Sequence, residues 1–91
     1  KIKSGGLIMI VVIGSNLCSD TMGAVAKLKE EGMAFEFHDI SANLDCLKEY
    51  LELREKSPLY APVKAEGRIG IPCFIKEDGT ETMDLDAILK K

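Results

Sequence analysis

The stretch Leu7-Ile8-Met9-Ile10-Val11-Val12-Ile13-Gly14-Ser15-Asn16-Leu17-Cys18-Ser19-Asp20-Thr21 joins an unbroken apolar run to a short polar loop and then to a cysteine. The run is rich in β-branched side chains and predicts a strand covered on both faces, as in a parallel sheet. It is too short to span a bilayer, and the basic stub Lys1-Ile2-Lys3 before it imitates a signal peptide without the small-residue cleavage site. We expect no membrane partner, and Met9 as the natural start, with residues 1–8 partly a cloning remnant.

Beyond the loop, Thr21, Ala24, Val25 and Leu28 recur at helical spacing over residues 19–31, and Gly32 stands where a left-handed cap is wanted. Residues 34–40 alternate around Phe35 and Phe37 and predict a second strand, which the intervening helix makes parallel to the first. Ser41 or Asn43 caps a helix to about Lys56, with Leu44, Leu47, Tyr50, Leu51 and Leu53 along one side. Pro58 and Pro62 mark residues 57–67 as a loop or a broken helical turn. Residues 72–76 and 80–83 flank Glu77-Asp78-Gly79, a hairpin in which Asp-Gly supplies positive φ. Asp84 then caps a last helix through Leu85, Ile88 and Leu89, with Lys90 and Lys91 at its negative end. The expected order is β-α-β-α-β-β-α: one α/β domain over residues 1–91, a mixed four-stranded sheet flanked by helices.

Composition narrows the function classes. Fifteen Asp and Glu against twelve Lys and Arg give a net charge of −3, and no basic block is present to neutralise a run of phosphates, so no nucleic-acid partner is expected. The cysteines, at 18, 46 and 73, are odd in number and widely spaced. They match neither a zinc knuckle nor a disulfide scaffold, so no metal is expected, and a persistent free thiol implies a reducing cytoplasm. Cys46, among Leu44 and Leu47, reads as a packing residue or incidental surface thiol. His38 has no paired acid in the pattern and reads as a partly exposed strand residue without a role.

Cys18 is different because it follows a buried strand and opens a helix. Unpaired N–H groups and the positive helix end stabilise a thiolate there, and the thiolate is the nucleophile. Thr21, three residues on, can donate a hydrogen bond to the sulfur. Asp20, within one turn, favours the protonated thiol, which leaves the direction of the net shift open and the expected activation modest.

Together, the hydrophobic strand, Cys18-Ser19-Asp20-Thr21 opening a helix, Ile71-Pro72 entering a hairpin and Asp84-Leu85-Asp86 starting a last helix resemble the glutaredoxin family. The resemblance runs from Met9 to Leu89 in the order of elements. It implies a thioredoxin-like fold and thiol–disulfide exchange on glutathione mixed disulfides and disulfide-containing proteins, with glutathione or another low-molecular-weight thiol as co-substrate and no tightly bound cofactor. It further implies that Pro72 is cis, that the backbone of Ile71 pairs with substrate, and that the γ-glutamyl carboxylate of glutathione meets Met83, Asp84 and Asp86 at the start of the last helix.

This chain departs from the family in several places. Ser15-Asn16-Leu17 replaces the usual basic residue before the cysteine, for which Arg68 is the candidate substitute, and Thr80-Glu81-Thr82 stands where a Gly-Gly pair is usual. Thr21 replaces the second cysteine of dithiol members. Two other readings stand beside the one-cysteine enzyme: a module that binds a peptide or low-molecular-weight thiol without turnover, and a dithiol enzyme in which Cys73 resolves Cys18.

Overall fold

The computed structural model describes residues 9–89. Leu7 and Ile8 of the apolar run, the stub before them, and Lys90 and Lys91 lie outside the described residues. The elements are β1 (Ile10–Gly14), α1 (Ser19–Glu30), β2 (Phe35–Asp39), α2 (Leu44–Lys56), a 3-10 turn (Pro58–Tyr60), α3 (Ala61–Ala65), β3 (Cys73–Ile75), β4 (Glu81–Thr82) and α4 (Leu85–Leu89). They form an α/β protein whose mixed four-stranded sheet runs β2-β1-β3-β4 among the described residues. β1 pairs parallel with β2 and antiparallel with β3, and β4 pairs antiparallel with β3.

β1 is buried along its whole length, and the pleat divides its side chains between two cores. Ile10 and Val12 meet Ala24, Val25 and Leu28 of α1, Phe74, and Ile88 of α4. Val11 and Ile13 meet Tyr50 of α2, Tyr60, Val63 and Cys73 on the opposite face. Register fixes the sides: Ile13 lies opposite Cys73 and Val12 opposite Phe74, so neighbouring residues of β3 enter different cores.

Local chemistry sets the ends of the elements. Asn43 caps α2, its side-chain oxygen accepting from the Asp45 and Cys46 amides at 2.7 and 3.2 Å. Thr82 Oγ1 accepts from Asp84 N, and Asp84 Oδ1 accepts from Asp86 N, both at 3.0 Å, which starts α4. In the hairpin turn, Gly79 N donates to Lys76 O at 2.8 Å. Gly79 takes positive φ there and Asp78 does not, so the glycine alone of the expected Asp-Gly pair supplies it.

Of the two readings open for residues 57–67, the broken helical turn holds over residues 58–65, where the 3-10 turn runs into α3 and Pro58 and Pro62 fall in first-turn positions that need no backbone N–H. One expectation is corrected. Leu44 and Leu51 do not cover the sheet. They are 76% and 51% exposed, while Tyr50 is buried and Leu47 and Leu53 pack beside it.

Candidate thiol site

Cys18 is the N-cap of α1, with extended backbone (φ −102°, ψ 119°), and its Sγ accepts from Thr21 N at 3.4 Å. The sulfur thus takes the place a serine or aspartate oxygen fills at an ordinary helix start. The side chain is half-buried and the thiol is free. Thr21 itself is fully buried. Its Oγ1 accepts from Ser15 N at 3.4 Å, which leaves its own proton for the sulfur.

These contacts decide the charge question. The Thr21 hydroxyl, then the Thr21 and Asp20 amides, hold the Cys18 thiol below its ordinary pKa, and desolvation and the Asp20 carboxylate offset only part of that. The other two thiols move the opposite way. Burial, reinforced by the carboxylates of Glu49, Asp45 and Asp39, raises Cys46. Burial pushes Cys73 up to about 11, and hydrogen bonding to Tyr60 offsets only part of that rise.

The loop that presents Cys18 is tied to the end of β2. Ser15 and Ser41 hydroxyls lie 2.7 Å apart, Asn16 Nδ2 donates to Asp39 Oδ2 at 2.6 Å, and Leu17 N donates to Ser15 Oγ at 3.0 Å. Gly14 permits the close approach beneath it, since a Cβ there would stand 2.5 Å from Thr21 Oγ1.

Beside the first turn of α1 runs a groove of about 460 Å³, lined on one side by Ser19, Asp20 and Gly23 and on the other by Arg68, Ile71 and Pro72. The Ile71–Pro72 bond is cis. Met83 and Leu85 also line it, while Asp84 and Asp86 are exposed and lie outside the lining, so the acidic pair expected to meet substrate does not reach the groove wall. Arg68 does line it, but its Nε donates to Glu66 Oε1 at 2.6 Å. Among the described lining residues, the one basic side chain therefore carries an exposed ion pair.

The far wall is held by residues that pattern reading did not single out for the site. Tyr50 Oη donates to Ile69 O, Arg54 Nη1 to Arg68 O and Tyr60 Oη to Gly70 O, each at 2.6 Å. Gly70 has φ +76°, and a Cβ on it would lie 2.7 Å from the Tyr60 ring. The i, i+4 spacing of Tyr50 and Arg54 was the available signal, but their carbonyl acceptors lie well along the chain.

Cys73, like Asp84 and Asp86, is a predicted residue that this arrangement does not bring to the groove. It is fully buried on the α2 and α3 face, whereas α1 packs on the other face with Phe74. A resolving role for Cys73 has no support in this placement. His38, expected to lack an acid, has two: Nδ1 lies 2.7 Å from Glu49 Oε1 and Nε2 lies 3.0 Å from Glu36 Oε1.

The fold and site thus define an α/β protein with a thiol capping the helix whose first turn lines a groove. The chain belongs to the same family as an uncharacterized protein of Haemophilus influenzae (strain Rd), with which it is 30% identical over 78 residues, 86% of this chain and 91% of that protein. No protein-family model matches the chain, and no solved structure matches it. Among the described residues no helix is long and apolar enough to cross a membrane.

Proposed function

We propose that this chain is a glutaredoxin-like thiol–disulfide oxidoreductase of thioredoxin-like fold, working through Cys18 alone in a reducing cytoplasm. One observation carries the reading. A half-buried cysteine caps α1, its sulfur is stabilised as thiolate by Thr21, and the next residues in the chain, Ser19 and Asp20, line a groove that the cis Ile71–Pro72 segment also lines. The strand order and the antiparallel entry of β3 from that segment are compatible with the topology.

In this mechanism the Cys18 thiolate attacks the glutathione sulfur of a mixed disulfide, forms a Cys18–glutathione disulfide and expels the substrate thiolate. A second glutathione thiolate then attacks the glutathionyl sulfur, releases Cys18 as thiolate and leaves as glutathione disulfide. Overall, one glutathione thiolate and the glutathionyl group taken from the substrate leave together as glutathione disulfide, the substrate sulfur leaves as thiolate, and no second cysteine is required. Thr21 stabilises the anion at the start and end of the cycle. The free backbone of Ile71 is the surface on which the substrate strand pairs, in the manner of an added strand.

Glutathione-dependent reduction of a glutathionylated peptide tests the proposal. Cys18→Ser is expected to abolish turnover while the far-UV spectrum is unchanged; undiminished turnover in that variant overturns the mechanism. A second reading, a module that holds a thiol-bearing ligand without turnover, is favoured by the pairing of Arg68 with Glu66. That pairing reduces the positive charge available to a glutathione carboxylate. Saturable binding of glutathione by wild type with no reduction of the peptide would establish it.

A further inference from the structure

The second cysteine has neighbours of a different kind. His38 is on β2, Cys46 and Glu49 stand three residues apart on α2, and all three are partly buried. One donor atom from each, a ring nitrogen, Sγ and a carboxylate oxygen, lies within 4.8 Å of the other two. Spacing i, i+3 puts Cys46 and Glu49 on one face of α2, and the packing of α2 on β2 delivers the imidazole between them.

The orientation of His38 adds an independent point. Its Nε2 is engaged by Glu36 Oε1 at 3.0 Å, while Nδ1 points to Glu49 at 2.7 Å. A histidine that ligates through one nitrogen ordinarily has the other held by a carboxylate or carbonyl, which fixes the tautomer and strengthens the ligand. Glu36 is placed to do this, leaving Nδ1, 2.7 Å from Glu49 Oε1, as the nitrogen on the side of the Glu49 carboxylate. A sulfur, a nitrogen and an oxygen donor suit a borderline ion in tetrahedral geometry, with the fourth position left to water, and are ill suited to calcium or magnesium.

We propose that His38, Cys46 and Glu49 form a binding site for a divalent transition ion of the zinc type, separate from the Cys18 groove. On binding, Cys46 gives up its proton to solvent and ligates as thiolate, and the ion replaces the hydrogen bond between Nδ1 and Glu49. The ion would join α2 to the sheet edge formed by β2. No redox change is involved.

The test uses the full chain, stripped with chelator and kept reduced, titrated with cobalt(II) as a spectroscopic probe and with zinc in competition. We expect one equivalent of cobalt, a thiolate-to-cobalt charge-transfer band, displacement of that band by zinc, and a higher melting temperature with zinc bound. The band is retained in Cys18→Ser and lost in Cys46→Ser. Glu36→Gln keeps the band but weakens binding about tenfold, the loss expected of an outer partner. Absence of a saturable band, its survival in Cys46→Ser, or its loss in Cys18→Ser overturns the proposal. Where Cys46→Ser fails to fold, Glu49→Gln decides, since unchanged cobalt affinity in that variant also overturns it.

Discussion

Thr21 meets Cys18 at one end and Gly14 at the other: its amide donates to Sγ at 3.4 Å, and its hydroxyl occupies the space a Cβ on residue 14 would need. The residue that tunes the thiol is thereby wedged against the end of the central strand. Its influence on the sulfur is set by packing.

The pKa directions predict selective, pH-dependent alkylation. Cys18 is lowered and Cys46 and Cys73 are raised, so the thiolate fraction of Cys18 is the largest at every pH below their midpoints. Iodoacetamide followed by peptide mass analysis should modify Cys18 first. The midpoint of its rate–pH curve should fall below that of the same chain unfolded in urea. A midpoint at or above the unfolded value contradicts the stabilisation by Thr21.

Thr21→Val keeps the shape of the side chain and removes its hydroxyl. The Cys18 midpoint should rise, and alkylation at neutral pH should slow several-fold. Ser15 N–H loses its buried acceptor, so the fold should also lose about 1–3 kcal/mol, measurable by urea denaturation. An unchanged midpoint would assign the effect to the backbone amides alone.

Gly14→Ala inserts a methyl group where Thr21 Oγ1 and Cγ2 stand 2.5 and 2.6 Å from the ideal Cβ. Both are short-chain atoms attached to the first turn of α1 and cannot swing away, so overpacking should cost about 1–3 kcal/mol. The midpoint of urea unfolding should fall, with slower Cys18 alkylation as Thr21 is displaced. Full stability in this variant would show that the strand end yields.

Tyr60→Phe removes the donor to Gly70 O. The carbonyl is left without this partner, with an expected loss of about 1–3 kcal/mol, and amide exchange should quicken over residues 68–71. Turnover should decline through KM, since the groove wall loosens while the thiol keeps its Thr21 contacts. A decline confined to kcat would indicate that Tyr60 acts on the chemistry.

Cys73→Ala should leave reduction of a glutathionylated peptide within about twofold of wild type after correction for folded fraction, because its sulfur faces Tyr60 in the far core. Loss of turnover with the fold intact would restore the dithiol reading.

Much of the frame was legible because it rests on short-range rules. The unbroken apolar run reads as a two-sided strand, Asn43 as a cap, and Gly32 as a left-handed stop at φ +71°. Cys18 at a helix start was legible for the same reason. What escaped depends on distant parts of the chain. The side taken by Cys73 follows from its register opposite Ile13, which the residues around it do not specify. The acids of His38 lie on its own strand and on a helix that packs across it. Pro58 and Pro62 left loop and broken helical turn open locally, and the choice between them rests on the core, into which the turns they start drive Tyr60 and Val63. The groove wall depends on carbonyls of residues 68–70 meeting donors 10 to 19 positions away.

Those three donors have a further effect. Tyr50, Arg54 and Tyr60 come from the layer opposite α1, so the groove wall at residues 68–70 and the Cys18 sulfur are governed from different sides of the sheet. Under the proposed function, changes on the α2 layer should therefore alter which disulfides are admitted while leaving the intrinsic nucleophilicity of the thiol as it was.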